Sequence, residues 1–158
     1  YSGARIPDRT TRPDFVANPP AKQTIAGTFG HLIIQNIPYI SFNMHSCPLS
    51  RIDDGVNDIT IHMGDKSRAQ LTQFVLDNDK GTFFDKYDKF KPNGMDYYKC
   101  LDWELKPEIK GPPPKDSNIK VAEGVKVMDN AIYAIDGERY PAQDVKGRVL
   151  PRVLTIYY

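Results

Sequence analysis

Three stretches of this chain carry side chains able to hold a cation, a phosphate or an apolar tail. The first is Ser50-Arg51-Ile52-Asp53-Asp54-Gly55, where two adjacent carboxylates precede a glycine. A tight loop there aims carboxylate and carbonyl oxygens at a hard cation such as magnesium, and the same residues equally make an ordinary turn. The second is Tyr133-Ala134-Ile135-Asp136-Gly137-Glu138. Asp-Gly between strand-forming residues is a strong hairpin signal, which makes a plain turn the simpler reading. Two carboxylates flanking a glycine also suit magnesium and a nucleotide phosphate, because glycine lets a ligand approach the backbone closely. The third is the stripe Leu71, Phe74 and Val75, followed by Phe83 and Phe84. At helical spacing such a stripe is ordinary core, and it becomes the wall of a lipid pocket where helix and sheet splay apart.

Other chemistries find no footing. His31, His45 and His62 have no cysteine or carboxylate at zinc or hydrolase spacing, so no catalytic role is assigned to them. No serine sits in a nucleophile elbow, and no glycine-rich phosphate loop follows a strand-like run. Phosphoryl transfer by this chain alone is therefore unsupported.

The elements that must position these residues read mainly as short strands. Leu32, Ile33 and Ile34, then Tyr39, Ile40, Phe42 and Met44, form two apolar runs around a turn at residues 36–38, which predicts a strand, a turn and a second strand. Residues 56–62 alternate Ile59 and Ile61 with Asp58, Thr60 and His62, the pattern of a strand with one wet face. Ser67 with Gln70 makes a capping box, and Lys80-Gly81 supplies stop signals, so one helix is expected over residues 67–79. Residues 97–105 read as a strand that ends at Pro107, and further strands are expected at 125–128, 131–135, 145–150 and 153–158. Three prolines within residues 111–116 mark a surface excursion that lengthens a hairpin. The expected fold is mainly β: an antiparallel β-sandwich-like domain, residues 30–158, with one amphipathic helix packed on it, preceded by an extended arm, residues 1–29.

Bulk properties narrow the function classes. A chain of 158 residues fits one domain, and 21 basic against 20 acidic residues leave a formal net charge of +1, too balanced to single out nucleic acid as a partner. Cys47 and Cys100 are too few and too far apart for a disulfide framework or a metal knuckle, which suits a reducing, cytoplasmic setting. No apolar run approaches the roughly 20 residues that span a bilayer, so any membrane contact is expected to be peripheral. The first residues lack an initiator methionine and the apolar core of a signal peptide, which leads us to expect a processed end.

Read in order, several motifs resemble the C-terminal domain of sphingosine kinases, within the diacylglycerol-kinase-like lipid kinases. They are Cys47-Pro48-Leu49 with Asp54-Gly55, Gly64-Asp65-Lys66-Ser67-Arg68-Ala69 opening the helix, Phe74-Val75-Leu76 with Lys80-Gly81 closing it, Leu105-Lys106-Pro107, and Ile135-Asp136-Gly137-Glu138. The likeness covers residues 32–158. It departs from the family at the long excursion of residues 111–116 and has no match before Gly30.

The resemblance implies a lobe that acts with an N-terminal nucleotide-binding lobe or companion chain to phosphorylate a sphingoid base or diacylglycerol-like lipid, using ATP and Mg2+. It implies that Asp136, Gly137 and Glu138 face the nucleotide and metal, with Asp136 a candidate catalytic base. It also implies that the loop of Arg51, Asp54 and Val56 holds a structural magnesium, and that Leu71, Phe74, Val75, Phe83 and Phe84 line the lipid channel. The alternative is a lipid-kinase-like lobe that has lost catalysis and serves as a scaffold subunit of a larger assembly.

Overall fold

The computed structural model describes residues 1–6, 13–15, 18, 20–64, 66–79, 95–108, 128–136 and 138–150. These residues form strands β1 (Ser2–Arg5), β2 (Phe29–Gln35) and β3 (Asn57–Met63), helix α1 (Arg68–Asp79), and strands β4 (Met95–Leu105), β5 (Met128–Ile135), β6 (Glu138–Ala142) and β7 (Val145–Arg148). The fold is mainly β, with antiparallel sheets and one short helix. The chain divides into two compact units, Tyr1–Trp103 with Arg148–Tyr158, and Glu104–Gly147. The expected strand at residues 153–158 and the excursion at residues 111–116 lie outside the described residues.

The first unit is organised by a sheet in the order β1-β4-β3-β2. Strand β3 is central. It pairs with β2 from Gln35↔Asp58 to Phe29↔Met63 and with β4 from Asn57↔Cys100 to His62↔Met95. Because side chains alternate across a strand, this register fixes two faces. One carries Ile33, Thr60 and Tyr97, with Ile6, Cys47, Leu49 and Phe74 in the core cluster over it. The other carries Leu32, Ile34, Ile59, Ile61, Tyr98 and Cys100, joined by Tyr1, Ile25 and Trp103.

That two-sided cover corrects the wet face expected of β3. Asp58, Thr60 and His62 are all buried, because the loop of Cys47 and Leu49 and the helix residue Phe74 close over their side of the sheet. The second expected strand, Tyr39 to Met44, is also absent. Pro38 has no N–H to give to a ladder, and the segment instead turns back on itself through the Ser41↔Met44 bridge, leaving Tyr39, Ile40 and Phe42 exposed. The partner that β2 needs is supplied by β3.

Within the expected extended arm, residues 1–29, Ser2–Arg5 form a strand of the sheet. Ser2 to Arg5 pair with β4, the Arg5 Nε donates to Asp96 at 2.6 Å, and Ile6 is fully buried. Gly3 permits this approach: a Cβ there would run into the Lys99 carbonyl and Cys100.

Helix α1 starts as its sequence dictates. The Ser67 N–H donates to the Gln70 side-chain oxygen at 2.9 Å, and the Gln70 N–H donates back to Ser67 Oγ at 3.3 Å, the reciprocal capping box. Its buried face is less apolar than the expected stripe. Phe74, Asp77 and Asn78 are buried, Leu71 is partly buried, and Val75 is 47 % exposed. The Asn78 carbonyl, left without a partner inside the helix end, accepts from the His45 N–H at 2.8 Å.

The second unit contains the antiparallel hairpin of β5 and β6. Within it the Glu104 carboxylate pairs with Lys146 at 3.1 Å and Lys106 at 3.4 Å, and these contacts hold its carboxyl below the usual carboxylate range.

Candidate functional site

The β5–β6 hairpin sets Asp136 and Glu138 at its tip. Ladder pairs run Tyr133↔Tyr140, Ala134↔Arg139 and Ile135↔Glu138, so the strands close on a tight turn at Asp136, in keeping with the Asp-Gly signal of the sequence. Asp136 takes a left-handed backbone conformation, φ 51°, which aspartate tolerates better than most side chains and which matches the strand twist in such a turn. Asp136 and Glu138 are both exposed. The Tyr140 hydroxyl donates to Glu138 Oε2 at 3.0 Å, fixing that carboxylate beside the turn and raising the phenol's own pKa. Gly137 lies outside the described residues. Two exposed carboxylates offer hard oxygen donors of the kind magnesium accepts alongside water and phosphate.

The loop of Arg51, Asp54 and Val56 is a different matter. The Arg51 guanidinium makes a two-pronged contact with Asp53, Nε to Oδ1 at 3.0 Å and a terminal nitrogen to Oδ2 at 3.1 Å. This contact holds the Asp53 carboxyl low. Asp54 Oδ1 accepts the Val56 N–H at 3.3 Å, an Asx-type turn, and Gly55 completes it with φ 68°. Asp54 Oδ2 accepts from the Lys99 ammonium at 2.7 Å. Both carboxylate oxygens are thus engaged, one by a cation that the chain itself supplies. These residues do not fit a divalent ion, and among the described residues no group of three His, Cys, Asp or Glu is placed to hold a metal.

The proposed lipid wall divides. Phe74 is 1 % exposed, its ring 4.5 Å from His31 and 4.7 Å from His62 between centroids, so it serves the core beneath the helix. Burial depresses the pKa of both histidines, that of His62 to about 4 with help from Lys66 and His31. Val75 faces outward next to Leu76, and Leu71 lies between the two environments. Phe83 and Phe84 lie outside the described residues.

A buried polar cluster escaped sequence reasoning altogether. Asp58 on β3 is fully buried, accepts the Tyr97 hydroxyl at 2.5 Å, and lies 3.0 Å from the Lys99 ammonium. Burial pushes the Asp58 carboxyl up, against the opposing pull of Lys99 and Tyr97. The same burial, with Cys47 and Asp58 alongside, drives the Tyr97 phenol far above its ordinary range. One signal was available. Asp58 and Lys99 are opposite charges that fall directly across from each other once β3 and β4 are paired. No family model matches this chain, and no curated protein matches it.

Proposed function

We propose that this chain is the lipid-binding lobe of an ATP-dependent lipid kinase, acting on the primary hydroxyl of a sphingoid base or diacylglycerol-like lipid together with a nucleotide-binding lobe. The observation that carries this reading is the tight turn that presents Asp136 and Glu138 to solvent at the end of the β5–β6 hairpin. The ordered set of motifs resembling sphingosine kinases, from Cys47-Pro48-Leu49 to Ile135-Asp136-Gly137-Glu138, supports it.

In this reading magnesium, bound with ATP, neutralises the charge that spreads over the transferred phosphoryl group. The chain's own part is positional. Glu138, held by Tyr140, and Asp136 offer carboxylates to the metal-nucleotide pair, and Asp136 is the candidate acceptor of the lipid hydroxyl proton. The outward side of α1, with Val75 and the half-covered Leu71, gives an aliphatic tail somewhere to lie. Each methylene so covered contributes roughly 0.8 kcal/mol.

The test is transfer of labelled γ-phosphate from ATP to sphingosine and to diacylglycerol in mixed micelles, by the protein expressed from its whole gene. Wild type is expected to label one of these lipids. Asp136→Asn should lower the rate by about 100-fold or more while leaving Tm unchanged, since asparagine also tolerates the left-handed turn. Absence of labelled lipid with wild type, or full activity in Asp136→Asn, would sink the proposal. The first result would favour a lobe that serves as a scaffold.

A further inference from the structure

We infer that Lys99 is a built-in counter-cation that occupies the place of a divalent ion between Asp54 and Asp58, so that the loop of residues 51–56 is pinned to the sheet without metal. The inference rests on the first unit alone and holds whether or not the chain takes part in phosphoryl transfer.

Lys99 sits on β4 directly across from Asp58 on β3. Its side chain is 4 % exposed and that of Asp58 is fully covered, while Asp54 reaches in from the loop with 22 % of its side chain exposed. The ammonium donates to Asp54 Oδ2 at 2.7 Å and to Asp58 Oδ2 at 3.2 Å, and the Tyr97 hydroxyl closes the far side by donating to Asp58 Oδ1. Two carboxylates converging on one positive centre are the kind of oxygen donors that a hard cation attracts. Here a point charge on a flexible stem takes that place.

An arriving divalent ion would meet the N–H bonds of the ammonium and its like charge, and at close range in a poorly solvated site that repulsion is not screened. The loop has no second tie of this kind among the described contacts. Arg51 is spent on Asp53, and Asp54 Oδ1 on the Val56 amide.

The experiment follows thermal unfolding of the whole chain, with limited proteolysis across residues 51–56, in EDTA, in millimolar MgCl2 or CaCl2, and in NaCl of equal ionic strength. Wild type is expected to give one Tm in all four. Lys99→Ser leaves two carboxylates facing a space that water can fill. Its Tm should fall in EDTA, its loop should become cleavable, and divalent ions should reverse both effects where NaCl does not. Should that variant fold only with metal, refolding yield with and without CaCl2 gives the same readout.

Asp54→Asn keeps the buried Asp58–Lys99 pair. It is expected to expose the loop to protease with little change in Tm. The inference is overturned by a saturable rise of the wild-type Tm with Mg2+ or Ca2+, by a Lys99→Ser loss that no divalent ion reverses, or by an uncleaved loop in Asp54→Asn.

Discussion

At the scale of single residues, burial separates side chains that look equivalent in the sequence. Phe74 and Val75 are neighbours on α1, both apolar, and both were assigned to one lipid-facing stripe. Phe74 packs against the His31 and His62 rings and belongs to the core cluster of Ile6, Cys47, Leu49 and Tyr97. Val75 lies turned away from them, nearly half exposed. Phe74→Ala removes a fully buried ring and should lower stability by about 3–5 kcal/mol. Val75→Ser should fall within about 0.5 kcal/mol of wild type, as surface changes do. Urea unfolding of the two variants checks both expectations, and equal losses would show that Val75 is packed after all. If the lipid reading holds, Val75→Ser should instead show itself as weaker lipid binding.

Asp58 and Lys99 make the same point for charge. Desolvation of two buried ions commonly outweighs their attraction, whereas removing one partner strands the other. The raised pKa of Asp58 places it on the side where desolvation prevails.

At the scale of elements, the packing of α1 on β2 and β3 joins helix docking to pH. His31 and His62 are cross-strand partners beneath Phe74, and burial lowers both pKa values, that of His62 to about 4. An unfolded histidine titrates near 6.5. Above that pH both rings are neutral in either state and the contact is intact. As pH falls from about 6.5 towards 4, the unfolded chain binds protons that the folded chain refuses, so stability is lost across that window.

Asp58 works in the opposite direction. Its folded pKa is raised, so the stability it contributes is present at acid pH and is lost as pH rises through that value. Comparison with a variant therefore isolates the histidine contribution. Tm should drop by a few degrees between pH 7.5 and 4.5 in wild type, and by less in His62→Gln. Parallel profiles for the two proteins would remove the histidines as the cause.

At the scale of the molecule, the proposed function requires that the chain bind a lipid whether or not it catalyses. Lipid binding by this chain is testable without catalysis. A sphingoid base at about 100 times its Kd should add about 2.7 kcal/mol to folding stability. For a chain of this length that is on the order of 5–10 °C in Tm. A short-chain amine of equal charge should do nothing, because the methylenes supply the free energy. An equal response to both amines, or none to the lipid, would leave the apolar residues of α1 as ordinary surface and core. Among the described residues no helix is long and apolar enough to cross a membrane.

Local features were legible in the sequence because local physics decides them. The Ser67–Gln70 capping box starts α1 one residue later, and the tight turn at Asp136 joins β5 to β6, since both follow from backbone needs met within a few residues. The mainly antiparallel β character followed from short alternating runs and turn signals. What only the tertiary structure decided is cover and partnership. Alternation along residues 56–62 showed that β3 has two faces, and its central place with Phe74, Cys47 and Leu49 closing over one of them made the polar face an interior. The pairing of β3 with β4 brought Lys99 to Asp54 and Asp58, 45 and 41 residues away in the chain, and put an ammonium where a Mg2+ ion was expected. Whether a carboxylate meets water, metal or lysine depends on which strand lies beside it, and that is set by the long-range register of the sheet rather than by the carboxylate's neighbours in sequence.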